Sequence, residues 1–510
     1  KLFMPFLAVM LVAALYVTAG VLWPLERPLP PRAEATLLLR NISLVDLAIG
    51  ELRPGTDVLV RNGRIEAVGT DLSAPNALEL DGAGRYGVPG LFDMHVHSLR
   101  LSPVFTHPLY IAAGVTAVRD MGGCLGEYDS WVACAVDKRE WHRAVEAGEM
   151  VGPRFDQVSS LAIDGGKEIP VGWDPAIGAA DAKGARQRVA QDAARGIDFL
   201  KPYSLLPREG YFALIESARE KGMYLAGHKP LAVSGMEAAA AGQRSIEHAF
   251  LFIWECYPGI EGLRKLEEIR AAYTHKTRRK MIEQHDAQQC AALQAAMVAS
   301  GTAFVPTHTT RKLDAYSLDP EYRNDPRLKY VPAPLRTIWL ADANGMAERA
   351  GDEGYSSYRD FYEFGIEQTG RAHAAGVTVL AGTDAPDSFA FPGFGLHDEL
   401  GHLSQAGLSP LDVLRTATVE PARFLGLEGE AGVIAAGARA DIVLLRENPL
   451  DDIEAVRSVA TVVLAGRVYD RDRLDAILSQ AEGTASHWSM WPKFIWQALR
   501  SPILRAQFAD

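Results

Sequence analysis

Cysteine is scarce in this chain: four in 510 residues, Cys124, Cys134, Cys256 and Cys290. None forms a Cys-x-x-Cys pair, which argues against a thiolate zinc site or a thioredoxin-type motif. Cys124 and Cys134 lie in a Gly-containing stretch, where an oxidising compartment would close a small loop; the alternative is two unpaired buried thiols. Positive charge is also short. Fifty-two Lys and Arg against 64 Asp and Glu leave a net charge of −12, so a phosphate polymer is repelled on average and no nucleic-acid partner is expected. Internal repeats and low-complexity segments are absent, which excludes a solenoid or a disordered array. Finally, charged side chains are missing from Leu2 to Pro24. A run of ~20 apolar residues is long enough to cross a membrane, so residues 1–24 are expected to be a transmembrane anchor. A signal peptide cut near Ala19 is the alternative, and a buried core helix a third. Either of the first two exports the body of the protein to a periplasmic or other extracytoplasmic side. It is tethered if the segment stays and secreted if it is cleaved. Four prolines between Pro24 and Pro31 make residues 25–35 a semi-rigid spacer.

What the chain does have is a large apolar fraction, 48%, with 23% charged, enough for a sizeable core. Residues 36–89 read as short strands, Ala35–Val45, Asp57–Arg61 and Arg64–Val68, with Arg61-Asn62-Gly63-Arg64 as a hairpin signal. From 90 to 425 strands alternate with helices. The expected strands are Leu91–His95, Val115–Arg119, Arg154–Ser159, Phe199–Lys201, Tyr224–His228, Ser245–His248, Ala303–Pro306 and Val377–Gly382. That count predicts an α/β fold of (β/α)₈, TIM-like type, with long loops at 251–283 and 308–357 shaping a pocket. Residues 426–470 return to strands, Ala440–Leu445 and Val459–Val468, so a small β-sandwich built from both flanks is expected. The tail, 471–510, carries Trp488, Trp491, Phe494, Ile495, Trp496 and Leu499 among Lys493, Arg500 and Arg505. That pattern fits an amphipathic helix at a membrane interface or one docked on the protein's own surface or a second subunit.

The chemistry-bearing residues recur at strand ends. Asp93-Met94-His95-Val96-His97 ends the first barrel strand, and side chains at i and i+2 point the same way, so His95 and His97 can share a metal. Lys201, His228 and His248 end later strands, and Leu380-Ala381-Gly382-Thr383-Asp384 puts a carboxylate at the eighth. One such residue is a surface lysine or a satisfied core histidine; the ordered set, at the end where barrel enzymes keep their sites, is a site signal.

These residues, together with Val88-Pro89-Gly90-Leu91-Phe92, Gly114-Val115-Thr116-Ala117-Val118-Arg119-Asp120 and Ala440-Asp441-Ile442-Val443, resemble the amidohydrolase superfamily. The resemblance covers roughly residues 36–470 and is to the imidazolonepropionase-like and prolidase-like branch. Asp198-Phe199-Leu200-Lys201-Pro202-Tyr203-Ser204 is similar to the relatives that hydrolyse dipeptides and N-acyl amino acids. The resemblance implies two divalent metals, zinc foremost, with Lys201 carboxylated (N6-carboxylysine) and shared between them. His95, His97 and Asp384 would hold one ion and His228 and His248 the other. It also implies hydrolysis of a small-molecule amide by a metal-bridging hydroxide, with Asp384 as catalytic proton carrier. A carbamate forms only on a neutral amine, which burial of a lysine favours. Imidazole and carboxylate ligands suit zinc and permit manganese or cobalt. Relatives in this branch often form homo-oligomers. A lactam, cyclic imide or ester is the alternative substrate, and a non-catalytic binding barrel a third reading that the full ligand set disfavours. Tyr203 and His308 are weaker candidates for substrate contact, and Arg119 with Asp120 is read as a salt-bridged structural pair.

Overall fold

In the computed structural model, residues 3–126, 129–165, 178–264 and 272–501 are described. Strands β1 (Thr36–Asp46), β2 (Glu51–Arg61), β3 (Arg64–Gly69), β4 (Leu78–Asp81) and β5 (Tyr86–Pro89) come from the N-terminal flank. Strands β13 (Ile442–Leu445), β14 (Val459–Leu464) and β15 (Arg467–Tyr469) come from the C-terminal one. They form one eight-stranded sheet in the order β15-β14-β13-β5-β1-β2-β3, with β4 paired to β1. The two flanks are joined along β5 and β13, where Pro89 faces Ile442 and Tyr86 faces Leu445. The sheet folds back on itself: Ile65 N–H bonds Ala438 O and Ala440 N–H bonds Gly63 O, so β3 meets the segment before β13 around a core shared by Leu37, Leu39, Val58, Ile65, Ile442 and Val463. Leu37, Leu38 and Leu39 are all fully buried although neighbours in a strand point to opposite faces, so β1 is covered on both sides.

The barrel strands are β6 (Leu91–Val96), β7 (Val115–Asp120), β8 (Arg154–Val158), β9 (Phe199–Leu200), β10 (Tyr224–Gly227), β11 (Ser245–Glu247) and β12 (Ala303–Val305). All pair parallel within two groups, β6-β7-β8 and β9-β10-β11-β12. Single bridges join the groups: Ser159 to Phe199, Phe304 to Val379, and Val96 to Ala385. The eighth position, 377–382, is not a continuous strand. It closes the ring by isolated backbone bonds, Leu380 N–H to Phe304 O and Met94 N–H to Ala381 O, each 2.9 Å.

The segment expected as a long loop at 308–357 is helical instead. It holds His308–Tyr316 and the start of a 42-residue helix, Ala333–Ala374, broken by non-helical backbone at Gly351. The other expected loop also contains helices, Leu251–Glu255 and His275–Glu283. The first-turn N–H groups of His308 and Thr309 donate to the Glu399 carboxylate, 2.9 Å each, so a distant acid caps that helix.

Among the described residues no helix is long and apolar enough to cross a membrane, so the expected spanning anchor is not supported. The helix Phe3–Leu22 packs on the helix Met490–Arg500. Trp488 meets the rings of Tyr16 and Trp23 at 5.7 and 5.5 Å, and Lys493 Nζ donates to Val21 O at 2.8 Å. The same C-terminal helix docks Phe494 on Phe105 and Trp131, while Trp491, Ile495, Trp496 and Leu499 stay exposed. Arg505, in the predicted tail pattern, lies outside the described residues. Two disulfides are present, Cys124–Cys134 and also Cys256–Cys290, which spacing alone does not suggest.

Candidate metal centre

Parallel closure puts the C-terminal ends of all eight barrel segments at one mouth, and the sequence places the polar residues there. His95 Nε2 lies 3.3 Å, and His97 Nε2 2.9 Å, from Asp384 Oδ1. Lys201 Nζ is 3.4 Å from His97 Nε2. His228 and His248 face each other Nε2 to Nε2 at 3.0 Å, and Asp384 Oδ2 is 3.8 Å from His248 Nδ1. The rings of His95 and His248 are 5.1 Å apart. All six residues expected at the site are therefore brought together.

The backbone bends to do this. His248, Thr307 and Asp384 all adopt positive φ, 77°, 47° and 65°, which costs about 1–3 kcal/mol each and is kept where surrounding structure over-determines it. Gly227, before His228, has φ of 153°, and a Cβ there would lie 2.9 Å from Lys201 Cγ. Glycine is what lets the lysine pass.

Around the six lies an orienting shell that the sequence reading missed. His95 Nδ1 and Glu247 Oε2 are 2.9 Å apart, and Glu247 Oε1 accepts from Arg119 Nη2 at 2.9 Å. All three side chains are fully buried. Arg119 also donates to Met94 O and Ser245 Oγ, and Asp120 turns instead to Lys138 at 2.6 Å. The Arg119–Asp120 pair read from the sequence is thus corrected: neighbours in a strand point to opposite faces. Thr307 Oγ1 holds His248 Nδ1 at 2.8 Å, and Ser204 Oγ holds His228 Nδ1 at 2.9 Å. Glu247 was visible only as an acid inside an apolar strand, Ser245-Ile246-Glu247-His248.

Of the weaker candidates, Tyr203 lays its ring 4.2 Å from that of His228, within the site. His308 does not reach it. Its ring is fully buried, with Nε2 2.9 Å from Thr369 Oγ1 and the ring packed near Tyr362 and His402.

The electrostatics follow from burial against charge. Burial works to raise Asp384, but His95 and His97 outweigh it and hold the carboxyl well below its usual range. Burial lowers Lys201, partly opposed by Asp384 and Glu247. Burial, reinforced by Lys201 at His228 and by His228 at His248, keeps both imidazoles neutral far below pH 6.5. His97 is lowered to about 4 by burial, whereas at His95 burial is outweighed by Asp384 and Glu247, which raise it. Neutral imidazoles at His97, His228 and His248, a carboxylate and a lysine biased toward its free amine are protonation states that suit a divalent cation. His95 Nε2 is buried without a hydrogen bond, and His95, His248 and Asp384 offer ligand atoms within 4.8 Å of one another. Oxygen and nitrogen donors without thiolate fit zinc, manganese or cobalt.

A parallel barrel with an imidazole, lysine and carboxylate cluster at its C-terminal mouth defines the class, a TIM-like barrel of enzyme type. The chain belongs to the amidohydrolase family, whose profile matches residues 206–469, just over half of it. The bottromycin amidohydrolase has the same fold, with a TM-score of 0.69 and 22% identity over 93% of this chain and 94% of that one. So does a prolidase complexed with N-methylphosphonate-L-proline, with a TM-score of 0.60 and 22% identity over 86% and 100%. An adenine deaminase of Rubrobacter xylanophilus is 44% identical over 66 residues, 12% of this chain and 11% of the relative.

Proposed function

We propose that this chain is a dinuclear metal-dependent hydrolase that cleaves the C–N amide bond of small substrates, dipeptides or N-acyl amino acids. The observation that carries the reading is the convergence of His95, His97, Lys201, His228, His248 and Asp384 at one barrel mouth. His95, His97 and Asp384 would hold one divalent ion, and His228 with His248 a second, zinc being the first choice. Lys201, as a carbamate, would serve both. Bound there, the cations lower the pKa of water and polarise a carbonyl oxygen. Asp384 is the proton carrier, since its carboxylate stays ionised and sits between the imidazoles. Its Oδ atoms accept the proton of the attacking water and return it to the departing amine nitrogen, without which C–N cleavage stalls. Glu247 keeps His95 in one tautomer, as Thr307 and Ser204 do for His248 and His228.

The test is metal analysis of the purified protein coupled to a panel of dipeptides, N-acyl amino acids, a lactam, an ester and adenine. About two metals per chain with amide turnover supports the reading; turnover of adenine alone, or one metal, removes it. Asp384→Asn should lower kcat by at least about 10²-fold with metal content largely kept. Near-normal turnover would take Asp384 out of the role. Two disulfides support work in an oxidising, extracytoplasmic compartment.

A further inference from the structure

A second group of ligand-bearing side chains shares no residue with the centre at the barrel mouth: Cys256, His285 and Cys290. The two Sγ atoms and a ring nitrogen of the histidine all lie within 4.8 Å of one another. Cys256 caps the helix Leu251–Glu255, and Cys290 stands in the first turn of the helix Ala287–Ser300, just after His285. Both cysteines are buried. The two helix ends are also tied without sulfur. Asp286 N–H donates to Cys256 O at 2.8 Å, and Gln289 Nε2 donates to Glu255 O at 2.6 Å. The His285 ring meets Phe364 edge to face at 5.0 Å, and both of its nitrogens are buried without a hydrogen-bond partner among the described residues.

A buried polar atom left unmatched is costly and calls for an explanation, and a cation on the imidazole lone pair is one. The disulfide Cys256–Cys290 is the oxidised form of this cluster. A dithiol reductant opens it by exchange, giving two cysteine thiols and the cyclic disulfide of the reductant. Each thiol then releases its proton on binding, so one divalent ion displaces two protons. Two thiolates and an imidazole, with water in the fourth position, are a zinc ligand set, and thiolates disfavour magnesium, calcium and manganese. We propose that Cys256, His285 and Cys290 form a separate zinc site in the thiol state of the chain, which the disulfide replaces on oxidation. The bonds from Asp286 and Gln289 do not pass through sulfur, so they keep the ligands together when the disulfide is open. A separation of 34 residues hides the pair from any search for Cys-x-x-Cys. Zinc held there would shield the two thiolates until an oxidant takes its place.

The experiment uses the full chain, made and purified without air so that its four cysteines stay thiols, beside the oxidised form. Cobalt(II) is the probe. The barrel mouth offers no thiolate, so a thiolate-to-cobalt charge-transfer band in the near ultraviolet reports cysteine ligation alone. The reduced chain should show that band and take up one cobalt more than the oxidised form. Cys290→Ser should remove the band, and His285→Ala, which keeps both cysteines, should weaken cobalt binding and shift the band. The double variant Cys124→Ser, Cys134→Ser should keep it. With zinc bound, oxidised glutathione should close Cys124–Cys134 ahead of Cys256–Cys290, read by peptide mass mapping; without zinc that order should disappear. No band in a reduced chain whose circular dichroism matches the oxidised form would overturn the proposal. So would a band that survives Cys290→Ser, ignores His285→Ala or depends on Cys124 and Cys134.

Discussion

Glu247 illustrates how much of the centre is set by groups that would not touch a metal. Its carboxylate is shared between His95 Nδ1 and the Arg119 guanidinium, with Ser245 also donating to it, in a space closed to water. Burial pushes Glu247 up, but Arg119 and the bond to His95 more than offset that and keep it ionised. Glu247→Gln keeps the shape but removes the charge that balances Arg119 and makes His95 a consistent donor at Nδ1. Metal affinity should fall about 10–100-fold, read by titration with a chromophoric chelator. Gly227→Ala should act on the same centre through sterics, since its methyl would meet Lys201 Cγ and Pro202 O at 2.9 Å each. Loss of metal with a retained fold by circular dichroism is the expected result.

At the scale of elements, the terminal helices meet through a close contact that a single change can test. A Cβ on Gly20 would lie 2.3 Å from Pro492 Cγ, so Gly20→Leu should undock the N-terminal helix. Proteolysis near Trp23 should quicken while turnover stays within about twofold, because no centre residue touches that helix. Most of the barrel strands were legible as short runs with apolar residues at their centre, several of them ending in a polar residue. His95, Lys201, His228, His248 and Asp384 were legible for the same reason. The eighth segment, Val377–Gly382, reads as a strand but makes only isolated bonds, since continuous pairing is a property of both neighbours and not of the segment. His308 misled because it follows a barrel strand as the six clustered residues do. The backbone turn at Thr307 sends its ring into the packing with Thr369 instead. Glu247 and Thr307 were not legible, as their partners are distant in the chain and their residue types are common on surfaces.

At the scale of the whole molecule, buried histidines make acid stability predictable. His107 is fully buried among Trp141 and Phe155, with neither ring nitrogen hydrogen-bonded, and burial lowers it to about 3. Burial likewise lowers His397 and His402 to about 4. Below pH 6.5 the unfolded chain takes up protons that these native imidazoles refuse. The contribution of these three imidazoles is therefore full above pH 6.5 and falls as pH drops toward 3–4, by about 1.4 kcal/mol per unit for each, while Asp93, Asp387 and Glu399, each raised to about 7 by burial, act with the opposite sign over that window. Urea melts between pH 7 and 4.5 should show His107→Phe gaining stability relative to the native protein as pH falls, by about 1.4 kcal/mol per unit below pH 6.5. An unchanged slope in that variant would mean that His107 is hydrated.

The seam between β5 and β13 carries a consequence for biosynthesis. Tyr86 leaves the ribosome roughly 350 residues ahead of its partner Leu445. At about 5–20 residues per second that is a wait on the order of twenty to seventy seconds. Throughout it the edge of β5 is bare, a template for pairing with another nascent chain, so a holdase or slow dilution during refolding should raise the yield of monomer.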